Sequence, residues 1–325
     1  MTRTAFRTTI GVHVSLALIV GLSVLRASPD VDRMKRLGEW TPPTNLGDIV
    51  NSAYQELLPV LAKNGSSLYF ASDRPGALGG EDLWVSRRTN RDAPWGTPVN
   101  VGAAVNTAFN ERSPELSRDG HLLFFATDRP GGLGGFDIWV AWRAHTHDDF
   151  GWRPPINLGS GVNSGAGDFG PSYFDNDEIG IPTLYFASTR PGGLGNADIY
   201  RSELLSDGSF GPAVPVPELN SPQGDFRPSI RGDGLEIVFD SNRPGPPDVA
   251  GIGLRDLWVS RRSAPSATWS IPENLGPAVN SPFNDYLAML SLDGRTLVMV
   301  SDRPEGFGGN DLYIATRARR PRDQR

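Results

Sequence analysis

Residues 72–84 read SDRPGALGGEDLW, and the phrase returns as TDRPGGLGGFDIW at 127–139, STRPGGLGNADIY at 188–200 and SDRPEGFGGNDLY at 301–313. A fifth copy is split, with SNRPG at 241–245 followed after a longer gap by RDLW at 255–258. A second phrase precedes each copy: WTPPTNLGDIVNS (40–52), WGTPVNVGAAVNT (95–107), WRPPINLGSGVNS (152–164), FGPAVPVPELNS (210–221) and WSIPENLGPAVNS (269–281). Its asparagines, Asn51, Asn106, Asn163, Asn220 and Asn280, recur every 55 to 60 residues. Two unrelated phrases on one five-fold beat identify an internal repeat. A repeat of this period belongs to a propeller, a solenoid or an array.

Each unit is expected to hold four short strands. The first, as in ELLPVLA (56–62), closes on Asn64-Gly65; Asp119-Gly120, Asp233-Gly234 and Asp293-Gly294 stand at the same place. Asn-Gly and Asp-Gly pairs suit a tight hairpin because both central residues need φ > 0. The second strand alternates apolar residues (SLYFAS, LLFFAT, TLYFAS), the third follows the Gly-rich loop (DLWVS, DIWVA, DIYRS, DLWVS, DLYIA), and the fourth lies at the Trp phrase. Four antiparallel strands per unit describe a propeller blade, and radial closure removes exposed sheet edges. The first phrase is a fourth strand with no preceding three, and the last unit stops at its third strand near Ala315. The fold class that follows is all-β: a five-bladed β-propeller of four-stranded antiparallel blades, closed by an N-terminal strand completing the last blade. Hairpin mirroring sets Glu56, Glu111, Asp225 and Asp285 opposite Asp73, Asp128, Asn242 and Asp302.

The 325 residues carry a net charge of −6, with no basic stripe in the body of the chain, so nucleic acid is not an expected partner. The absence of cysteine excludes disulfides, thiolate catalysis and Cys-ligated zinc. Arg3 and Arg7 precede an apolar run from Ile10 to Leu25, the pattern of an export signal, short for a spanning helix. The expected division is a signal peptide or membrane anchor (1–27), a linker (28–39), the propeller (40–316) and a basic tail (317–325). The expected location is periplasmic or extracellular, with membrane contact only through the N-terminal segment.

One acid opens each inner strand: Glu56, Glu111, Asp168, Asp225 and Asp285. These are the candidate binding residues, a ring of acids at one mouth of the central channel, able to attract a cation or a basic segment. The competing reading makes them structural. Each would pair with the blade's arginine (Arg74, Arg129, Arg190, Arg243, Arg303), while the third-strand aspartates (Asp82, Asp137, Asp198, Asp256, Asp311) tie down the Gly-rich loops. A group repeated once per blade is what folding needs, whereas catalysis usually needs a group once. The GGLGG loops lack the following helix of a phosphate cradle. Trp40, Trp95, Trp152 and Trp269 are expected to pack between blades. His145, His147, Asp148 and Asp149 lie together in AHTHDDF, read as a solvated loop rather than a metal site. No catalytic residue, metal or cofactor is expected.

The motifs P-x-L-S-x-D-G, F-x-S-D-R-P-G-G and G-G-x-D-I-W resemble the WD40-like β-propeller repeats of TolB, of some outer-membrane OmpA-type proteins and of propellers in certain large peptidases. The resemblance covers about residues 40–315. It implies a propeller that binds a protein or gates access, with catalysis placed in an added module for which this chain leaves no room. The expectation is therefore an exported, non-catalytic protein-binding or scaffold module in the cell envelope, with an envelope protein as partner. The alternatives are a carbohydrate-active enzyme of the glycoside hydrolase class and a lectin-like propeller that binds a glycan.

Overall fold

The computed structural model describes residues 37–245 and 254–319. The export segment, residues 28–36 of the linker, most of the fourth unit's long Gly-rich loop and residues 320–325 of the tail lie outside the described residues. The described chain forms five four-stranded antiparallel sheets, and no helix occurs among the described residues. The inner strands are Glu56–Leu61, Glu111–Leu116, Asp168–Phe174, Asp225–Ile230 and Asp285–Leu290. Each touches the next around the axis, and the last touches the first. The ring closes as the two end phrases require: Thr44 pairs with Ile314 and Asn45 with Tyr313. Pairing continues outward to Leu37 and Arg319. Arg317, the first residue of the expected tail, is buried in the last blade.

The second strands are buried on both faces, which explains why SLYFAS, LLFFAT and TLYFAS read as near-continuous apolar runs. Their side chains fill the gaps between adjacent blades. Leu68 and Phe70 pack with Val298, Val300 and Leu312 of the last blade across the closure.

The register differs by one residue from simple mirroring. Glu56 faces Ser72, Glu111 faces Thr127, Asp225 faces Ser241 and Asp285 faces Ser301. Every inner strand carries a bulge two residues after its acid, and the extra residue shifts the count. The residue two beyond the acid adopts φ > 0 in all five blades: Leu58, Ser113, Gly170, Arg227 and Leu287. Only one of the five is glycine, so the blade imposes this conformation against residue preference.

The Gly-rich loops join neighbouring blades. A Cβ on Gly79 would stand 1.8 Å from the Phe109 carbonyl oxygen of the second blade. Gly134 meets Ala166, Gly195 meets Gln223 and Gly308 meets Tyr54 in the same way, the last across the ring closure.

Candidate functional site

The five repeated acids all stand at the same end of the ring, and all are buried. Glu56 shows the pattern. Its Oε1 accepts from Arg74 Nη2 at 2.7 Å and from the Ser52 and Ser72 hydroxyls, and its Oε2 accepts from the Ser52 amide. Arg129 meets Glu111 at 3.1 Å, Arg190 meets Asp168 at 2.7 Å and Arg303 meets Asp285 at 2.8 Å; Arg243 meets Asp225 likewise. Each arginine also donates to a backbone carbonyl at the second phrase, as Arg74 does to Val50. Burial still pushes the Glu56 and Asp225 carboxyls above their ordinary range, against the pull of these donors.

The third-strand aspartates hold the loops. Asp82 accepts from the Leu78 and Gly79 amides and from Asn100 Nδ2, and Asp311 accepts from Phe307, Gly308 and Asn45. Asp137 takes Leu133 and Asn157, Asp198 takes Gly195, and Asp256 takes Asn274. In the third blade Pro215 stands where the other blades have asparagine, so this amide bridge is absent there. The phrase asparagines clamp the third strands: Asn106 Oδ1 accepts the Leu83 amide and its Nδ2 donates to the Leu83 carbonyl.

The AHTHDDF loop is held by one of its acids. Asp149 is buried and accepts from Ser67 Oγ, Tyr69 OH and Arg143 Nη1 at 2.6 to 2.8 Å. Among the described residues no group of three or more His, Asp or Glu side chains could hold a metal ion. The tryptophans of the second phrase do face the gaps between blades, but each carries an arginine on its ring, as Arg143 does on Trp152 at 4.3 Å.

Three acids are not five-fold: Glu115 on an inner strand, Asp240 on a second strand and Glu81 before a third strand. Glu115 lies four residues beyond Glu111, where the other blades carry Val60, Ser172, Ser229 and Met289. It keeps a half-buried surface and accepts from the Tyr173 amide. Burial pushes its carboxyl up to about 8, against the attraction of Arg227. Asp240 replaces the alanine of the second-strand motif and is fully buried. Its oxygens are occupied by the Leu287 amide and the Arg255 guanidinium. Glu81, preceding the third strand of the first blade, pairs through Oε1 with Arg112 at 3.0 Å, while its Oε2 is buried with no hydrogen-bond partner. Burial raises the Glu81 carboxyl too.

Aromatic side chains line the same mouth. Phe169, Phe226 and Tyr286 each follow the acid of their inner strand and remain half-buried. Phe169 and Phe226 stack with centroids 6.4 Å apart, and Arg255 lies over both Phe226 and Tyr286. None of these residues was a candidate from sequence.

No family model matches the chain, and no curated protein matches it in sequence. Solved structures do match in shape. A thermostable family-43 glycoside hydrolase aligns at TM-score 0.55 with 14% identity, over 84% of this chain and 91% of its own. The catalytic domain of a GH62 α-L-arabinofuranosidase from Coprinopsis cinerea aligns at 0.56 with 10% identity, over 86% and 97%. A TolB chain from Agrobacterium tumefaciens aligns at 0.44 with 18% identity, over 79% and 72%. The five-bladed propeller fold stands. The expectation of a non-catalytic scaffold, and with it the exclusion of an enzyme, is corrected. Glycoside hydrolases make up most of these matched propellers. Glu81, Glu115 and Asp240 are acids that occur once rather than once per blade, which is what catalysis usually needs.

Proposed function

We propose that this chain is a carbohydrate-active enzyme of the glycoside hydrolase class, exported by its N-terminal segment, with Glu115 as proton donor. The observation that carries the reading is the single carboxyl at Glu115, which stands outside the five-fold ring of acids and whose neutral form burial favours. Cleaving a glycosidic bond begins with protonation of the leaving oxygen, and a carboxyl whose pKa is raised by its surroundings suits that step. Glu81 is the candidate second carboxylate, since Arg112 favours its charge and its Oε2 is uncommitted. Asp240 is less suited, because both of its oxygens already have donors. Phe169, Phe226 and Tyr286, half-buried beside the ring of acids, are aromatic side chains that a sugar at that mouth would meet. The matched hydrolase propellers support the class and suggest which glycans to try first.

The test is release of 4-nitrophenol from aryl α-L-arabinofuranosides and β-xylosides, with reducing ends counted on arabinoxylan. Turnover is expected, and Glu115→Gln should lower kcat by about 10²- to 10⁴-fold, the usual worth of a general acid. Folded, exported protein that cleaves none of these and no other glycan in a broad panel overturns the reading. So does turnover unchanged in Glu115→Gln.

A further inference from the structure

We propose that the centre of the channel binds one small monovalent anion against the Nη1 of Arg227. This binding does not depend on hydrolysis and is read without any glycan present.

Arg227 occupies the bulge position of the fourth inner strand, where the other blades have Leu58, Ser113, Gly170 and Leu287. It is 3% exposed. Its Nη2 donates at 2.6 Å to the carbonyl of Pro59, in the first blade, which is not a neighbour of the fourth. The side chain therefore crosses the channel. Its Nη1 is buried and has no hydrogen-bond partner. Gly170 lets the third blade's bulge pack closely on the fourth, since a Cβ there would stand 3.1 Å from the Arg227 Cα.

The charged groups facing Arg227 do not neutralise it at pH 7. Asp240, on the strand beside it, is held by Arg255 and the Leu287 amide. Glu115, from the second blade, accepts from the Tyr173 amide and leaves Arg227 Nη1 without a partner, and burial favours its neutral form. One positive charge with an open donor thus remains in a desolvated layer, and buried charges are stable only when paired. Nη1 is a single open donor, which suits a monovalent halide or formate-sized carboxylate rather than a polyvalent oxyanion that needs several donors.

The test is thermal unfolding of the intact chain in bromide, formate or gluconate at equal ionic strength, with a bromide anomalous map of a crystal. Bromide and formate are expected to raise Tm in a saturable manner, gluconate is not, and a bromide peak is expected beside Nη1. Glu115 competes for the guanidinium once ionised, so apparent affinity should fall about tenfold per pH unit above 8. Glu115→Gln should keep the binding and lose that pH dependence. Arg227→Met should abolish the response. Equal Tm in bromide and gluconate, water alone at Nη1, or an adventitious ion only, seen in the map without any Tm response, would each overturn the proposal. If Arg227→Met does not fold, the bromide–gluconate comparison and the Glu115→Gln pH profile still decide it.

Discussion

The guanidinium of Arg88 lies 4.2 Å from the centre of the Trp95 ring, and its Nε donates to the Gly65 carbonyl at 2.7 Å. The unit recurs as Arg143–Trp152, Arg262–Trp269 and Arg317–Trp40, with each Nε on a hairpin glycine carbonyl. In the third blade the positions hold Leu204 and Phe210, which keep the backbone bridge that Arg143 and Trp152 also make but have no cation to set on the ring. Arginine and tryptophan are thus present together or absent together, which is what a cation–π contact demands. A double-mutant cycle on Arg88→Met and Trp95→Leu, read by urea unfolding, should give a coupling of about 1 kcal/mol. Additive losses would mean that the two residues stabilise the blade separately.

The joints between blades leave no room for a side chain. A Cβ at Gly134 would lie 2.2 Å from the Ala166 carbonyl oxygen, whereas one at Gly165 would meet nothing within 4 Å. Gly134→Ala must displace backbone across a blade interface and should cost more than about 2 kcal/mol, while Gly165→Ala should stay within ~0.5 kcal/mol. Urea midpoints for the two variants make the comparison. Equal midpoints would show that the loop can retreat from its neighbour.

Asp285 and Arg303 form a buried pair 2.8 Å apart. Asp285→Ala strands the arginine in the protein interior and should destabilise by about 3–5 kcal/mol. Asp285→Ala with Arg303→Met should recover part of that loss, because the uncompensated charge goes with the arginine. Calorimetry on both variants tests this, and a double variant no better than the single would place the loss in the hydrogen bonds to Ser281 instead.

The blades, their closure and the pairing of acid with arginine were legible because each contact is written five times. Thr44 and Ile314 could be joined from the missing and surplus strands alone. The inner register was not legible. Residues as unlike as Leu58, Ser113 and Arg227 all accept the bulge after the acid, so no residue preference announces it. The candidate catalytic side chains were missed for the opposite reason. Glu115 occupies the variable place in P-x-L-S-x-D-G, and Asp240 replaces an alanine in the second-strand motif. Aligning the five units and asking which column carries one odd charge would have found both; searching for repeated charges could not.

Glu115 also sets a pH dependence of stability. Burial raises its carboxyl from 4.5 to about 8, so the folded state prefers the protonated form. Between those values the unfolded chain has released the proton while the folded chain keeps it, and stability falls as pH rises. The contribution is complete below about 4.5 and is lost by the time pH passes through about 8. At about 1.4 kcal/mol per pKa unit, its upper bound is on the order of 5 kcal/mol. Other buried carboxyls, Glu56, Glu81, Asp225 and Asp240 among them, are raised as well and push in the same direction. The difference between the native chain and Glu115→Gln isolates the one group. Urea unfolding at pH 5, 6.5, 8 and 9 should show the native chain losing stability more steeply than Glu115→Gln, with the two curves converging toward or crossing at alkaline pH. Parallel curves would mean that Arg227 holds Glu115 ionised, and the proton donor assigned to the channel would have to be sought elsewhere.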